Sequence, residues 1–337
     1  MKYKKIMSAL MAVLCLAPTS FLPLATGQSG GQGMQIGETL PPELDNMYRA
    51  GLSYLASSQT TAGNWSDNFG QQPGVVGLVA LAFLASGEDP NFGPYRVQIR
   101  RAAEFIVSQQ DTNTGYIGNS MYNHAFATLA LAELYGHLRE PDVGLPLRRA
   151  VDLILNSQKQ NPNNAWRYSP TSQDADTTVS GGQMVALFAA KNAGLEIPEE
   201  ALEKGLQYFK ENMASDGGIG YTRPTGGNST RTAIASLSFS LMNDYSSDES
   251  KKIFEYIRQN QSETGNYFYY HLYYLAQALF QGDMSEWRVW NRRIIEVFRA
   301  TQQSNGSWSG QRGPTFSTAS ALLTVALNYR LLPIYER

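Results

Sequence analysis

The chain has 337 residues, with 27 Lys and Arg against 29 Asp and Glu for a net charge of −2, both signs scattered, and a single cysteine, Cys15. So even a balance leaves no electrostatic footprint for nucleic acid. Because Cys15 lies in a segment expected to be removed, the mature chain would carry neither a disulfide nor a thiolate ligand, and no metal or other cofactor is called for.

In chain order, Lys2, Lys4 and Lys5 precede an apolar run from Ile6 to about Pro18, and the small residues Ala25 and Gly27 then offer a cleavage site. Residues 1–27 read as a secretory signal peptide, which implies a secreted or periplasmic protein with no integral membrane span after cleavage. The alternative is an uncleaved N-terminal anchor, for which the run falls short of the roughly 20 apolar residues of a spanning helix. Residues 28–42 are Gly- and Gln-rich and read as a flexible leader. Residues 43–337 read as a single domain, because one pattern recurs through them.

Each copy of that pattern is an amphipathic stretch, a Gly/Asn/Ser loop and a more uniformly apolar, Ala-rich stretch. The amphipathic stretches include Tyr48 to Leu55, Ile99 to Val107, Val151 to Leu155, Leu206 to Phe209, Ile253 to Ile257 and Ile294 to Phe298. The Ala-rich ones are Val75 to Ala85, Ala125 to Leu134, Val185 to Ala190, Ala233 to Leu241, Leu272 to Phe280 and Ala319 to Leu327. A helix that is apolar on most faces is a buried helix, so the second set should form an inner layer and the charged set an outer one. The expectation is all-α: an α6/α6 double-layered toroid of six helix hairpins, about twelve helices. An open solenoid is the rival, but it needs polar capping repeats at its ends.

The loops carry a recurring phrase, Gln59-Thr-Thr-Ala-Gly63-Asn-Trp65, Gln261-Ser-Glu-Thr-Gly265-Asn-Tyr267 and Gln302-Gln-Ser-Asn-Gly306-Ser-Trp308. Weaker copies lead from Gln110 to Tyr116, from Gln158 to Trp166 and from Asn212 to Tyr221. A structural role accounts for it, the aromatic ring filling the gap between adjacent pairs while the Gln amide bonds the backbone of a neighbouring helix end.

If the inner helices run parallel, their starts gather at one mouth, and function belongs there. The residues delivered to it are Asn68 and Gln71; Tyr122, Asn123 and His124; Asp174 and Asp176; Asn228 and Arg231; Tyr269, Tyr270 and His271; Arg312 and Phe316. His124 and His271 stand at the same phase of their repeats and, with Asp174 and Asp176, form a candidate catalytic acid/base set; the alternative is that both are packing residues. Tyr122, Tyr269, Tyr270, Trp166 and Phe316 are candidate ligand-facing rings, able to stabilise cations through their π faces or to stack on sugars. Asp176 is placed to cap an inner helix, where the dipole would lower its pKa. Arg231, with Arg223, would suit neutralisation of a uronic-acid carboxylate; the alternative is a salt bridge from Arg231 to Asp174 or Asp176.

Gln-x-x-x-Gly-x-Trp resembles the QW repeat of the squalene-hopene and oxidosqualene cyclases. Toroids of helix pairs also occur in protein prenyltransferase β subunits, complement thioester domains and cobalamin carriers. The Asp, Cys and His zinc site of the prenyltransferases and the Cys-Gly-Glu-Gln sequence of thioester domains are absent, and the disulfides and second domain of cobalamin carriers fit poorly. Trp166-Arg-Tyr168-Ser-Pro170-Thr-Ser-Gln-Asp174-Ala-Asp176-Thr177-Thr178 resembles the DxDD protonation segment of class II cyclases. Asp174 and Asp176 match the first two acids, and Thr177 stands where the last belongs. Class II cyclases place their site between two α-barrels, whereas this chain supplies one ring. The resemblance implies an exported, protonation-initiated isoprenoid cyclase or isomerase with a degenerate motif. A non-catalytic secreted binding or scaffold toroid and a polysaccharide lyase or hydrolase are the alternatives. The implied ligand is a small molecule, isoprenoid or carbohydrate; no protein partner is indicated.

Overall fold

Twelve helices follow one another among the described residues: α1 (Pro42–Ser58), α2 (Pro73–Leu84), α3 (Arg96–Ser108), α4 (Met121–Leu134), α5 (Gly144–Gln160), α6 (Thr177–Asn192), α7 (Glu199–Glu211), α8 (Ser229–Leu241), α9 (Asp248–Gln259), α10 (Phe268–Gly282), α11 (Met284–Thr301) and α12 (Pro314–Ala326). This is a computed structural model, which describes residues 42–262, 267–329, 331–332 and 334. The signal-peptide reading, the leader up to residue 41, Cys15, and Gly265 and Asn266 of the repeated phrase lie outside the described residues.

The odd-numbered helices are amphipathic for a simple reason: their apolar residues recur at helical spacing. In α9, Ile253 and Ile257 are buried while Lys251, Lys252, Glu255 and Arg258 face water. The even-numbered helices have no polar face to offer; every residue of α2 is buried. They form the inner layer. α2 packs on α4, α4 on α6, α6 on α8, α8 on α10 and α10 on α12, and α12 returns to α2, so the ring closes as an α/α toroid. Small residues allow the close approach between neighbours. A Cβ added at Gly77 would lie 2.7 Å from the Phe126 carbonyl of α4, and one added at Gly181 only 1.9 Å from Ile234 Cγ2 of α8.

The loops explain the repeated phrase. Gln59 Nε2 donates to the carbonyls of Gly63, in its own loop, and Gln98, in α3. Gln110 bridges Gly115 and Pro146 of α5, Gln158 bridges Asn164 and Ala201 of α7, and Gln302 bridges Gly306 and Met47 of α1. Trp65, Trp166 and Trp308 each donate an indole N–H to a carbonyl of the outer helix before them, Leu55, Ile154 and Phe298, at 2.9 Å. The phrase glycine is needed twice over at Gly63: φ is +91°, and a Cβ would stand 2.2 Å from the Arg101 carbonyl. Each of these four phrases thus ties one outer helix to the next. Replacing the buried Gln158 by Ala strips two carbonyls of their donor, so Gln158→Ala is expected to lower stability by about 2 kcal/mol in urea melts.

The inner helices begin earlier than their apolar runs suggest, at Pro73, Met121, Thr177, Ser229, Phe268 and Pro314 rather than two to eight residues later. The first turns of α4, α6, α8, α10 and α12 carry polar or aromatic residues, whereas that of α2, Pro73-Gly-Val-Val, does not. Ser120, Asp176 and Asn228 cap α4, α6 and α8 through side-chain oxygens.

Candidate functional site

The starts of α2, α4, α10 and α12 surround a cavity of about 510 Å³, within the roughly 300–1,000 Å³ typical of small-molecule sites. Seven aromatic side chains line it: Phe69, Tyr122, Phe126, Tyr168, Tyr267, Tyr270 and Phe316. Val75 and Leu78 extend the apolar wall, and Gln72, Asn119, Ser120, Asn123 and Arg312 supply polarity. No carboxylate and no histidine line it among the described residues.

A fixed amide network holds part of the polar lining. Asn123 Nδ2 donates to Gln72 Oε1 at 2.7 Å and to Asn119 Oδ1 at 2.9 Å, while Asn123 Oδ1 accepts the Gly74 N–H at 3.2 Å. Arg312 lies over two ring faces, 4.9 Å from the centroid of Phe69 and 5.3 Å from that of Tyr267.

Of the residues proposed from sequence, Tyr122, Asn123, Tyr270, Arg312 and Phe316 reach the cavity wall. Tyr270 stands edge-on to Phe126 and to Tyr274. Tyr269 points elsewhere, donating its hydroxyl to the Ser309 carbonyl and stacking on Phe298. Trp166 is buried in the scaffold, its indole bonded to Ile154. Phe69, Gln72, Asn119 and Phe126 line the cavity without having been picked out. Gln72 is one residue from the expected Gln71, and only the turn that ends in Pro73 decides which of the two faces in.

Asp176 is fully buried behind the wall as the N-cap of α6. Its Oδ1 accepts the Thr178 and Val179 N–H groups, each at 2.9 Å, and the Thr178 hydroxyl at 2.6 Å. The Thr178 oxygen in turn lies 2.6 Å from the Tyr122 hydroxyl, so Tyr122 donates to Thr178 and Thr178 to Asp176. This chain links the carboxylate to the cavity without exposing it. Asp176 Oδ2 has no hydrogen-bond partner among the described residues and faces Arg167 Nε at 3.6 Å. Burial holds the Asp176 carboxyl above its ordinary range, outweighing the Thr178 and Val179 hydrogen bonds and the Arg167 charge that pull it down. The expectation that the helix terminus would leave it with a lowered pKa is therefore corrected: desolvation of a fully buried carboxylate exceeds what a capped helix end returns.

Asp174 is not beside Asp176 in the same setting. Its side chain is 71% exposed and meets Arg167 at 3.5 Å. The cation serving both aspartates is Arg167, not Arg231 as the sequence suggested. Arg231 instead donates to the carbonyls of Ile219 and Gly226, while Arg167 lies over the rings of Tyr168 and Tyr221, whose hydroxyls are hydrogen-bonded to each other.

His124 and His271 share a phase because the phase has a structural job. His124 Nδ1 accepts the Ile117 N–H at 3.1 Å, which fixes the proton on Nε2, facing the Ala150 carbonyl at 3.0 Å. Thr232 and Thr318 occupy the corresponding turn of α8 and α12 and accept from Ile219 and Trp308 in the same way. His271 is held between Thr230 Oγ1 and the Gln261 carbonyl. Both rings are fully buried. Burial lowers the His124 pKa to about 4.

No protein-family model matches the chain, and no curated protein matches it. Solved structures do. The type II terpene cyclase MstE from Scytonema is 14% identical with a TM-score of 0.59, covering 86% of this chain and 99% of that one. A family 76 glycoside hydrolase from a bovine Bacteroides thetaiotaomicron strain is 11% identical with a TM-score of 0.63, covering 85% of this chain and 77% of that one. An inactive variant of an alpha-1,6-mannanase of Salegentibacter sp. HEL1_6, in complex with alpha-1,6-mannotetrose, is 9% identical with a TM-score of 0.64, covering 86% and 99%. At these identities the likeness shows the α/α-toroid fold.

Proposed function

We propose that this ring is a cyclase-like toroid that binds an isoprenoid-class small molecule in the cavity at the inner-helix mouth. The observation that carries the proposal is the wall itself: seven aromatic rings with Val75 and Leu78, against five polar side chains, Gln72, Asn119, Ser120, Asn123 and Arg312. Such a wall gains most from an apolar, branched chain, by area buried and by ring contacts. The Scytonema cyclase, a toroid of the same fold, takes geranylgeranyl dihydroxybenzoate as its substrate. The hydrolase reading draws less support. Glycoside hydrolysis generally needs two carboxyl groups flanking the bond, and the cavity wall offers none among the described residues. The Salegentibacter variant is inactive with two consecutive aspartates replaced by alanine, and this sequence contains no two consecutive aspartates.

Calorimetry of the folded chain with geranylgeraniol and with alpha-1,6-mannotetraose separates these readings. Binding of the isoprenoid alone is expected, with Phe316→Asp lowering its affinity at least about tenfold by placing a charge in the apolar wall. Preference for the mannotetraose, or binding of neither, defeats the proposal.

A second reading, proton-initiated cyclisation or isomerisation, is favoured by one feature: a buried carboxyl with a raised pKa joined to the cavity through Thr178 and Tyr122. Against it, the oxygen on that path already accepts three hydrogen bonds, so an acidic proton belongs on Oδ2, on the Arg167 side. Incubation with squalene and shorter polyprenyl compounds tests this, with Asp176→Asn as the control, since Asn preserves the N-cap. A cyclised product from the native chain that is lost in Asp176→Asn would establish it. Residues 1–27 support an exported protein, which sequencing the mature N-terminus checks.

A further inference from the structure

The one charged side chain lining the cavity among the described residues is a cation, Arg312, which bears on the ligand's head. Arg312 is half-buried, with its guanidinium over the rings of Phe69 and Tyr267. No carboxylate pairs with it among the described residues. The carboxylate nearest in the loop before α2, Asp67, is engaged by backbone: Oδ1 accepts from Phe69 and Gly70, and Oδ2 from Thr315 at the start of α12. A guanidinium lying over two aromatic faces loses part of its hydration and keeps its N–H donors at the rim.

The amide network adds an independent observation. Both Gln72 Oε1 and Asn119 Oδ1 accept from Asn123 Nδ2, and Asn123 Oδ1 accepts from Gly74. Each of these amide oxygens thus already accepts one hydrogen bond within the network. No hydrogen bond among the described residues takes the –NH2 groups of Gln72 and Asn119, so both amides have donors left to give. The Ser120 oxygen likewise accepts, from the Asn123 N–H, which leaves its proton to give. A wall with a guanidinium, two amide –NH2 groups and a hydroxyl as donors, and no carboxylate among the described residues, is complementary to an oxyanion.

We propose that Arg312 anchors the ligand through an oxyanion, so that the cavity takes an amphipathic molecule with an apolar isoprenoid-type chain and a carboxylate or phosphate head. The inference rests on the reading of the cavity as an isoprenoid site. Charge-assisted pairing to a partly desolvated guanidinium is expected to favour an anionic head over a hydroxyl by about tenfold to a hundredfold.

The test is calorimetric titration of the full chain with geranylgeranoic acid, geranylgeranyl monophosphate and geranylgeraniol, at low and high salt, in the native chain and in Arg312→Gln. Support is a tenfold or greater preference for one or both anions over the alcohol, shrinking as salt rises and disappearing in Arg312→Gln. Which anion leads identifies the head group as carboxylate or phosphate. Salt dependence in the native chain stands on its own if Arg312→Gln proves poorly folded. Equal binding of all three compounds overturns the anchor and leaves the isoprenoid cavity standing. An anion preference that survives in Arg312→Gln overturns the assignment to Arg312. Binding of none overturns both.

Discussion

Thr177→Asp, the substitution that would restore the last acid of the degenerate motif, is expected to lower stability by about 4 kcal/mol at pH 7. Thr177 is fully buried at the first position of α6, and its hydroxyl donates to the Gly220 carbonyl at 2.7 Å, with the Tyr221 carbonyl at 3.3 Å. An ionised aspartate there would face two carbonyl oxygens without water. A protonated one could keep the bond, but holding a group with an unfolded pKa near 3.9 neutral at pH 7 costs about 4 kcal/mol. The folded pKa is raised above the unfolded one, so the penalty shrinks as pH falls towards 4. Urea melts of native and variant chains at pH 7 and pH 4.5 should show the gap narrowing; a variant as stable as the native chain at pH 7 would contradict this. The position therefore serves the joint between α6 and the loop before α8.

His124 should make the fold acid-sensitive by up to about 3 kcal/mol between pH 7 and pH 4. Its folded pKa is lowered to about 4 by burial, with the Ala150 carbonyl acting the other way, while the unfolded chain takes up the same proton near 6.5. Between those values the unfolded state binds more protons, so stability is full above about pH 6.5 and declines as pH falls. A proton on Nδ1 would also set two donors against each other, because that nitrogen accepts the Ile117 N–H. Asp176 works in the opposite sense, since its raised carboxyl takes up a proton in the folded state first. The clean comparison is native chain against His124→Gln, whose amide can accept from Ile117 and donate to Ala150. The difference in their stability should change by that amount across the interval. Parallel pH profiles would mean that the imidazole titrates normally and is not sealed in.

The architecture could be read from residue types because it is a matter of period. Apolar spacing in Ile253 and Ile257 and the unbroken apolar run of α2 are local facts, and repetition turns them into layers. The phrase glycines, as at Gly63, could be read for the same reason: a tight turn leaves only one residue type acceptable. The cavity was legible only in part. Tyr122, Asn123, Tyr270, Arg312 and Phe316 were found by their place at helix starts. Phe69 and Gln72 belong to a loop whose turn no periodicity announces, and Phe126 looked like any buried aromatic of an inner helix.

The pairing of charges was not legible at all. From the chain alone Arg231 and Arg167 are equivalent cations within reach of one loop, and the fold decides between them by giving Arg231 the carbonyls of Ile219 and Gly226. The coincidence of phase between His124 and His271 pointed to chemistry in the sequence, whereas in three dimensions that phase is where Thr232 and Thr318 brace the same turn. By itself the sequence determined the ring of helix pairs, because secondary structure and layering follow from local period and residue size. Tertiary structure alone decided which carboxylate is buried, which cation meets it and which rings face the cavity, because those depend on distances between residues from different repeats.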